Sequence, residues 1–298
     1  MRPAWSVILL TTLIGAAQGL FLVVFLLDVL RPPPKEFVLL CCAVSLLLLA
    51  SGLTASFFHL GRPERAWRAA SQWRTSWLSR EVIVLPAFMG MLAIYGLSGS
   101  FAAGAIAAVL CIALFVCTGM IYACLPFLQE WRSPLTLVNF FLLGTASGLT
   151  LSVPLAVIAH PQFVGPLALG AFSLAAVAWA ARIASLVRNA RLRPKSTTAS
   201  AIGIAHPRIV QKAQGFMGGS YNTREFFHGR PDLVVFAVRW SFLVLLFPVP
   251  AWLLGWGGGS FATFVAAFVL QFTGLLAERW YFFAEVRHPQ NLYYQAMS

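Results

Sequence analysis

The sequence predicts an all-α integral membrane protein with eight transmembrane helices, arranged as two four-helix bundles. Three observations predict it. Of 298 residues, 59% are hydrophobic and only 10% charged, against about 25% charged in an average soluble domain. Mean hydropathy is +0.80. The apolar residues gather into eight segments of bilayer-crossing size, for which roughly 20 residues suffice. This composition excludes a soluble enzyme, a disordered chain and a disulfide scaffold.

The segments run 6–27, 37–58, 82–97, 102–127, 135–159, 163–187, 233–256 and 260–284. The third is the shortest, and its helix is expected to begin a little earlier, at Arg80 or Glu81. The first is longer than a signal-peptide core, preceded by a single basic residue, and reads as a retained helix. Pro86, Gly144, Gly148, Pro154, Pro248 and Pro250 lie inside segments; membranes tolerate them where neighbours satisfy the freed carbonyls. Residues 1–128 are expected to form the first bundle and 129–298 the second, within one integral membrane domain.

The connections sort by size and charge. Those after segments one, three, five and seven are short; the long ones, 59–81 and 188–232, lie on the face that also holds both termini. Of the 21 Lys and Arg residues, all but Arg31 and Lys35 fall on this loaded face. Such a bias marks the cytoplasmic side, so both termini are expected in the cytoplasm of a bacterial inner membrane. The formal net charge of +12 therefore reflects topology and lipid head groups rather than nucleic acid. Trp5, Trp67, Trp73, Trp77, Trp131, Trp280 and Tyr281 sit near segment ends as an aromatic belt.

The five cysteines (Cys41, Cys42, Cys111, Cys117, Cys124) lie in apolar runs with no C-x-x-C pair, so they read as small hydrophobes rather than metal ligands. Acidic residues stand at segment ends or in connections, and Arg182 and Arg239 are placed to snorkel to an interface. Gln18, Asn139 and Gln271 lie deeper and are expected to bond neighbouring helices. A midplane without charge argues against a small-solute transporter, the rival of another class. No histidine lies at mid-membrane, so no bis-His haem is expected in the middle of the bundle; ligation at the loaded face by His59 or a loop histidine stays open.

The strongest local signal links segments two and three. His59 ends one helix, Gly61 and Pro63 turn the chain, Ser79 is placed to cap the next helix, and Glu81 sits in its first turn. Read plainly, this is a well-capped helix end. Read functionally, it is a proton-handling pair at the membrane surface, with Arg65 or Arg80 tuning Glu81.

The string HLGRPERAWRAASQWRTSWLSRE resembles the HLG-x-P-x-RA-[FW]…S-x-x-S-x-E signature of the DMSO reductase anchor subunit family. The stretch Glu278-Arg-Trp-Tyr-Phe-Phe is similar to that family's last helix. The resemblance implies a membrane anchor with a quinone pocket (ubiquinone or menaquinone), beside an iron–sulfur subunit that connects to a molybdopterin catalytic subunit. It implies that His59 and Glu81 carry the quinone chemistry. Arg65 and Ser76 also fall on motif positions; Ser79 and Gln18 complete the candidate quinone set. Residues 222–228 and the tail from Ala284 look like a branch associated with cytoplasmic sulfite oxidation, in which electrons run from sulfite to quinone; the reverse reaction, quinol oxidation by a reductase, is the alternative. Arg62, Arg68, Arg224, His228 and Arg287 are the candidate partner-docking residues, although residues 222–228 could equally be a loop packed over helix ends.

Overall fold

The computed structural model describes residues 1–206, 208–210, 212 and 225–293. Among them there is no strand, and eight helical spans of 22–30 residues are long and apolar enough to cross a membrane. The helices are α1 (Trp5–Leu30), α2 (Lys35–Phe57), α3 (Trp77–Ser98), α4 (Phe101–Ala123), α5 (Pro134–Ala159), α6 (Val164–Ala190), the short α7 (Thr198–Ile202), α8 (Asp232–Leu246), α9 (Pro248–Trp256) and α10 (Phe261–Ala284). A 3₁₀ segment, Pro63–Gln72, lies between α2 and α3 and exposes Trp67 and Arg68.

Helix starts follow their caps. Ser76, Ser100, Ser133 and Ser260 each accept a backbone N–H from the first turn of α3, α4, α5 and α10, filling donors that the helix leaves open. The cap of α3 is therefore Ser76, not Ser79. The helix begins at Trp77, earlier than hydropathy suggests, so Glu81 is its fifth residue and lies beyond the first turn. The polar run Ser79-Arg-Glu81 lowers local hydropathy, but it is helical because two of its three side chains face other helices: Ser79 and Glu81 are buried. At the other end of the fourth segment the helix stops at Ala123, short of Phe127.

The seventh segment is not one helix. It breaks at Phe247 (φ −136°, ψ −62°) between α8 and α9. Pro250 has no N–H to offer the Leu246 carbonyl four residues back. Gln271 Nε2, from α10, donates to that carbonyl at 3.3 Å, and Trp179 Nε1, from α6, donates to Leu243 O at 2.8 Å. Gln18 Nε2 donates to Cys111 O on α4 at 2.8 Å, and Asn139 Nδ2 to Ser185 Oγ on α6 at 2.6 Å. All three deep amides thus bond a neighbouring helix.

The central packing joins α1 to α5 through facing small residues, Gly15 and Gly19 on one helix and Gly144 and Gly148 on the other. A Cβ at Gly19 would meet Gly144 O and lie 2.7 Å from Thr145 Cα, and one at Gly148 would meet the Gly19 and Leu20 backbone. Such Gly-x-x-x-Gly pairs let helix backbones touch, which matters in lipid because no hydrophobic force holds helices together there. Around this crossing, Tyr122, Trp131, Phe140, Phe282 and Phe283 form an aromatic cluster near the loaded face. Four cysteines are buried and free, as small hydrophobes should be; Cys124, at the end of α4, is exposed.

Segments from both ends of the chain meet at the loaded face. The Met1 amine donates to Val286 O at 2.9 Å, Arg2 N–H to Glu225 O, and Trp131 Nε1 to Phe282 O at 3.0 Å.

Candidate functional site

The α1–α5 crossing opens a small internal cavity of about 10 Å³ lined by Thr11, Gln18, Glu81, Thr118, Phe140 and Arg279, among others. A volume of this size holds about one water. Glu81 is 7% exposed, and its Oε1 accepts a hydrogen bond from Thr118 Oγ1 on α4. Burying a carboxyl is costly unless it is hydrogen-bonded or paired. The hydroxyl of Thr118 supplies one partner, and the guanidinium of Arg279 borders the same cavity.

On the lipid side of this cavity, α4 and α5 form an open groove of about 290 Å³, lined by Ile112, Phe115, Val116, Leu137, Val138, Phe141 and Leu142. Every lining residue is apolar. Phe115 lines both spaces. Its ring packs edge-on against Phe141, with centroids 5.1 Å apart.

The sequence-predicted residues divide. Gln18 and Glu81 share the cavity. Ser79 is buried just before Glu81, and Ser76 caps the helix that carries both. His59 and Arg65 are exposed in the connection that leads to α3 and line neither space. Desolvation of the His59 imidazole lowers its pKa below the ordinary value, which favours the neutral ring at pH 7. Of the docking candidates, Arg62, Arg68 and Arg287 are exposed. His228 is half-buried, and its Nδ1 accepts from Arg230 N–H. Arg224 lies outside the described residues. Nearby, the His288 ring stacks on Phe226 with centroids 3.7 Å apart.

A buried ionic cluster corrects the placement of Arg182 and Glu278 at a solvated interface. Arg182 Nε lies 2.7 Å from Glu278 Oε1, Arg279 Nη1 lies 3.2 Å from Glu278 Oε2, and Arg182 Nη2 lies 3.8 Å from Glu285 Oε2. Arg182, Glu278 and Arg279 are each at most 3% exposed. Arg279 also stacks its guanidinium over Phe140, 3.6 Å from the ring centroid, a cation–π contact that is strong when desolvated. Snorkelling fails here because these side chains point into the bundle, where α5, α6 and α10 close around them. No sequence spacing reveals this; it depends on which faces of α6 and α10 meet.

Residues 1–207 match the family model described as DMSO reductase anchor subunit (DmsC). The chain belongs to the DMSO reductase anchor subunit family. Over the whole of both chains, this anchor subunit is 50% identical to a protein of Allochromatium vinosum named as a sulfite dehydrogenase subunit. It is thus a membrane anchor subunit of a DMSO reductase-type complex and a homologue of that sulfite dehydrogenase subunit. The matched stretch contains the HLG…SRE segment, Gln18, Glu81, Thr118 and Arg182. Glu278, Arg279 and Glu285 lie beyond it, in the part of the chain covered by the full-length match to that relative.

Proposed function

We propose that this anchor subunit is quinone-reactive: it passes electrons between an iron–sulfur subunit and the quinone pool, with sulfite oxidised at a molybdopterin subunit and quinone reduced here. The observation that carries the reading is a buried carboxylate among hydrogen-bonding side chains, in a cavity that shares Phe115 with an open apolar groove. The inner cavity takes a water, not a ring. The groove, at about 290 Å³, approaches the size of ligand sites, and its phenyl and aliphatic walls suit a quinone ring and isoprenoid chain. Phe115, Val138 and Phe141 would hold the apolar body of the quinone in the groove; Glu81, Thr118 and Gln18 would reach its polar edge past Phe115, through the water that the inner cavity holds. A bound quinone supplies a two-electron, two-proton acceptor. Glu81 acts as general acid toward it through that one water. His59, neutral and exposed, exchanges protons at the surface, a role that rests on its place in the family signature. Sulfite as electron donor rests on the relative's name. We place the loaded face in the bacterial cytoplasm on its 19 of 21 basic side chains. Protons then come from the side where electrons arrive, and turnover separates no charge across the membrane.

The test is Glu81→Gln in the purified complex, assayed with sulfite and a soluble quinone analogue. Loss of a positioned general acid lowers turnover on the order of 10²-fold, with co-purification of the larger subunits unchanged. Wild-type turnover in this variant would overturn the assignment.

A further inference from the structure

We propose that the ionic cluster in the second half of the chain is the route by which protons travel from the loaded face to Glu81. This rests on the quinone reading above and adds the path that serves it. A second water-sized cavity, also about 10 Å³, lies between the loaded face and the first; among its lining residues are Glu130, Asn139, Arg182, Ser185, Asn189 and Glu278. The two cavities share Phe140 and Arg279. The inner one ends at Glu81. The outer one ends at half-buried Glu130, Arg188 and Asn189, where the last turn of α6 meets the connection between α4 and α5.

The polar atoms along this line have unused hydrogen-bonding capacity. Arg182 Nε and Nη2, both carboxylate oxygens of Glu278, Arg279 Nε and Asn139 Oδ1 are buried without a hydrogen-bond partner among the described residues. The 2.7 Å approach of Arg182 Nε to Glu278 Oε1 is an ion pair but not an aligned hydrogen bond, so charge is balanced while directional capacity remains open. Bare polar atoms facing two water-sized spaces are what bridging waters satisfy.

The roles divide by chemistry. Arginine does not release its proton, so Arg182 and Arg279 pass none; they are positioning residues that hold Glu278 within a neutral group of two glutamates and two arginines. The Glu278 carboxylate takes a proton from water in the outer cavity. It borders the outer cavity alone, so the proton it returns to water there crosses to water of the inner cavity beside Arg279, which lines both, and the Glu81 carboxylate accepts it. At each transfer one O–H bond breaks and one forms, and no electrons move along this line. Electrons arrive separately from the iron–sulfur subunit.

The experiment uses the intact complex with sulfite and a soluble quinone analogue, and reads kcat and KM per assembled complex across pH in H2O and D2O. Glu278→Gln removes the transferring group. Ser185→Val fills the outer cavity without touching an ion pair, so the test stands if the first variant fails to assemble. The expected result in each is a kcat at least tenfold lower, an unchanged KM for the quinone and a larger solvent isotope effect. Wild-type kcat and isotope effect per assembled complex in the Ser185→Val variant, and in Glu278→Gln where it assembles, would overturn the route while leaving Glu81 in place. A wild-type complex that reduces no quinone would overturn the quinone reading, and the route with it.

Discussion

The α1–α5 crossing makes a sharp prediction about a single methyl group. In Gly148→Ala the new Cβ lies 2.6 Å from Ala16 O and closer still to the Gly19 and Leu20 backbone. Carbon atoms in ordinary contact sit at about 3.5–4.0 Å, so the two helices must part by roughly 1 Å. The obstacle is backbone, which has no rotamer to yield. Overpacking costs about 1–3 kcal/mol, partly offset by a helix-propensity gain of about 1 kcal/mol for alanine over glycine. Gly90 on α3 is the control: its Cβ would meet nothing within 4 Å, so Gly90→Ala keeps the propensity gain and incurs no clash. The two variants should differ by roughly 1–3 kcal/mol, read as apparent melting temperatures of the purified complex at one fixed scan rate. Gly15 and Gly144, from the same crossing, line the Glu81 cavity. Gly148→Ala should therefore also slow quinone turnover, while Gly90→Ala should not. A Gly148→Ala protein that melts at or above the Gly90→Ala protein would refute the close-contact argument.

Other outcomes follow from the same geometry. Arg182→Leu leaves Glu278 and Glu285 without their shared cation; breaking a buried pair on one side costs about 3–5 kcal/mol, visible as a lower melting temperature and reduced recovery of the assembled complex. Glu285, just past the end of α10, has its pKa raised by burial despite Arg182 and Asn189 of α6, with Glu130 and Glu278 pushing the same way as burial. A carboxyl with a raised folded pKa contributes stability that is full below its unfolded value of 4.5 and is lost as pH rises through the folded value. Glu285→Gln should flatten that part of the melting-temperature profile. His59→Ala removes a surface proton exchanger and no buried contact, so it should lower quinone turnover and leave stability within about 0.5 kcal/mol of wild type, read as an unchanged melting temperature. Sulfite-to-quinone turnover in sealed proteoliposomes should produce no membrane potential, measured with a voltage-sensitive dye; a potential would contradict proton uptake from the electron-donor side.

The sequence by itself determined the fold class, the number of spans and the single loaded face. Each depends on local composition: long apolar runs must hydrogen-bond their backbone internally as helices in lipid, and basic residues collect on one side. It also singled out Glu81, through the HLG…SRE spacing, and the three amides that bond between helices. Helix ends were less legible. Ser76 and Ser79 both have cap chemistry, and the choice between them followed from the inward turn of Ser79 and Glu81, which hydropathy scores only as polarity. What only the tertiary structure decided is which side chains share a space. Gln18, Glu81, Thr118 and Arg279 come from four different helices, and their meeting depends on the rotation of each helix about its axis, which for α1 is fixed by its glycine contacts with α5. For the same reason the Arg182–Glu278–Arg279 cluster read as interfacial: position along a helix measures depth in the membrane, whereas burial is decided by the face that a neighbouring helix covers.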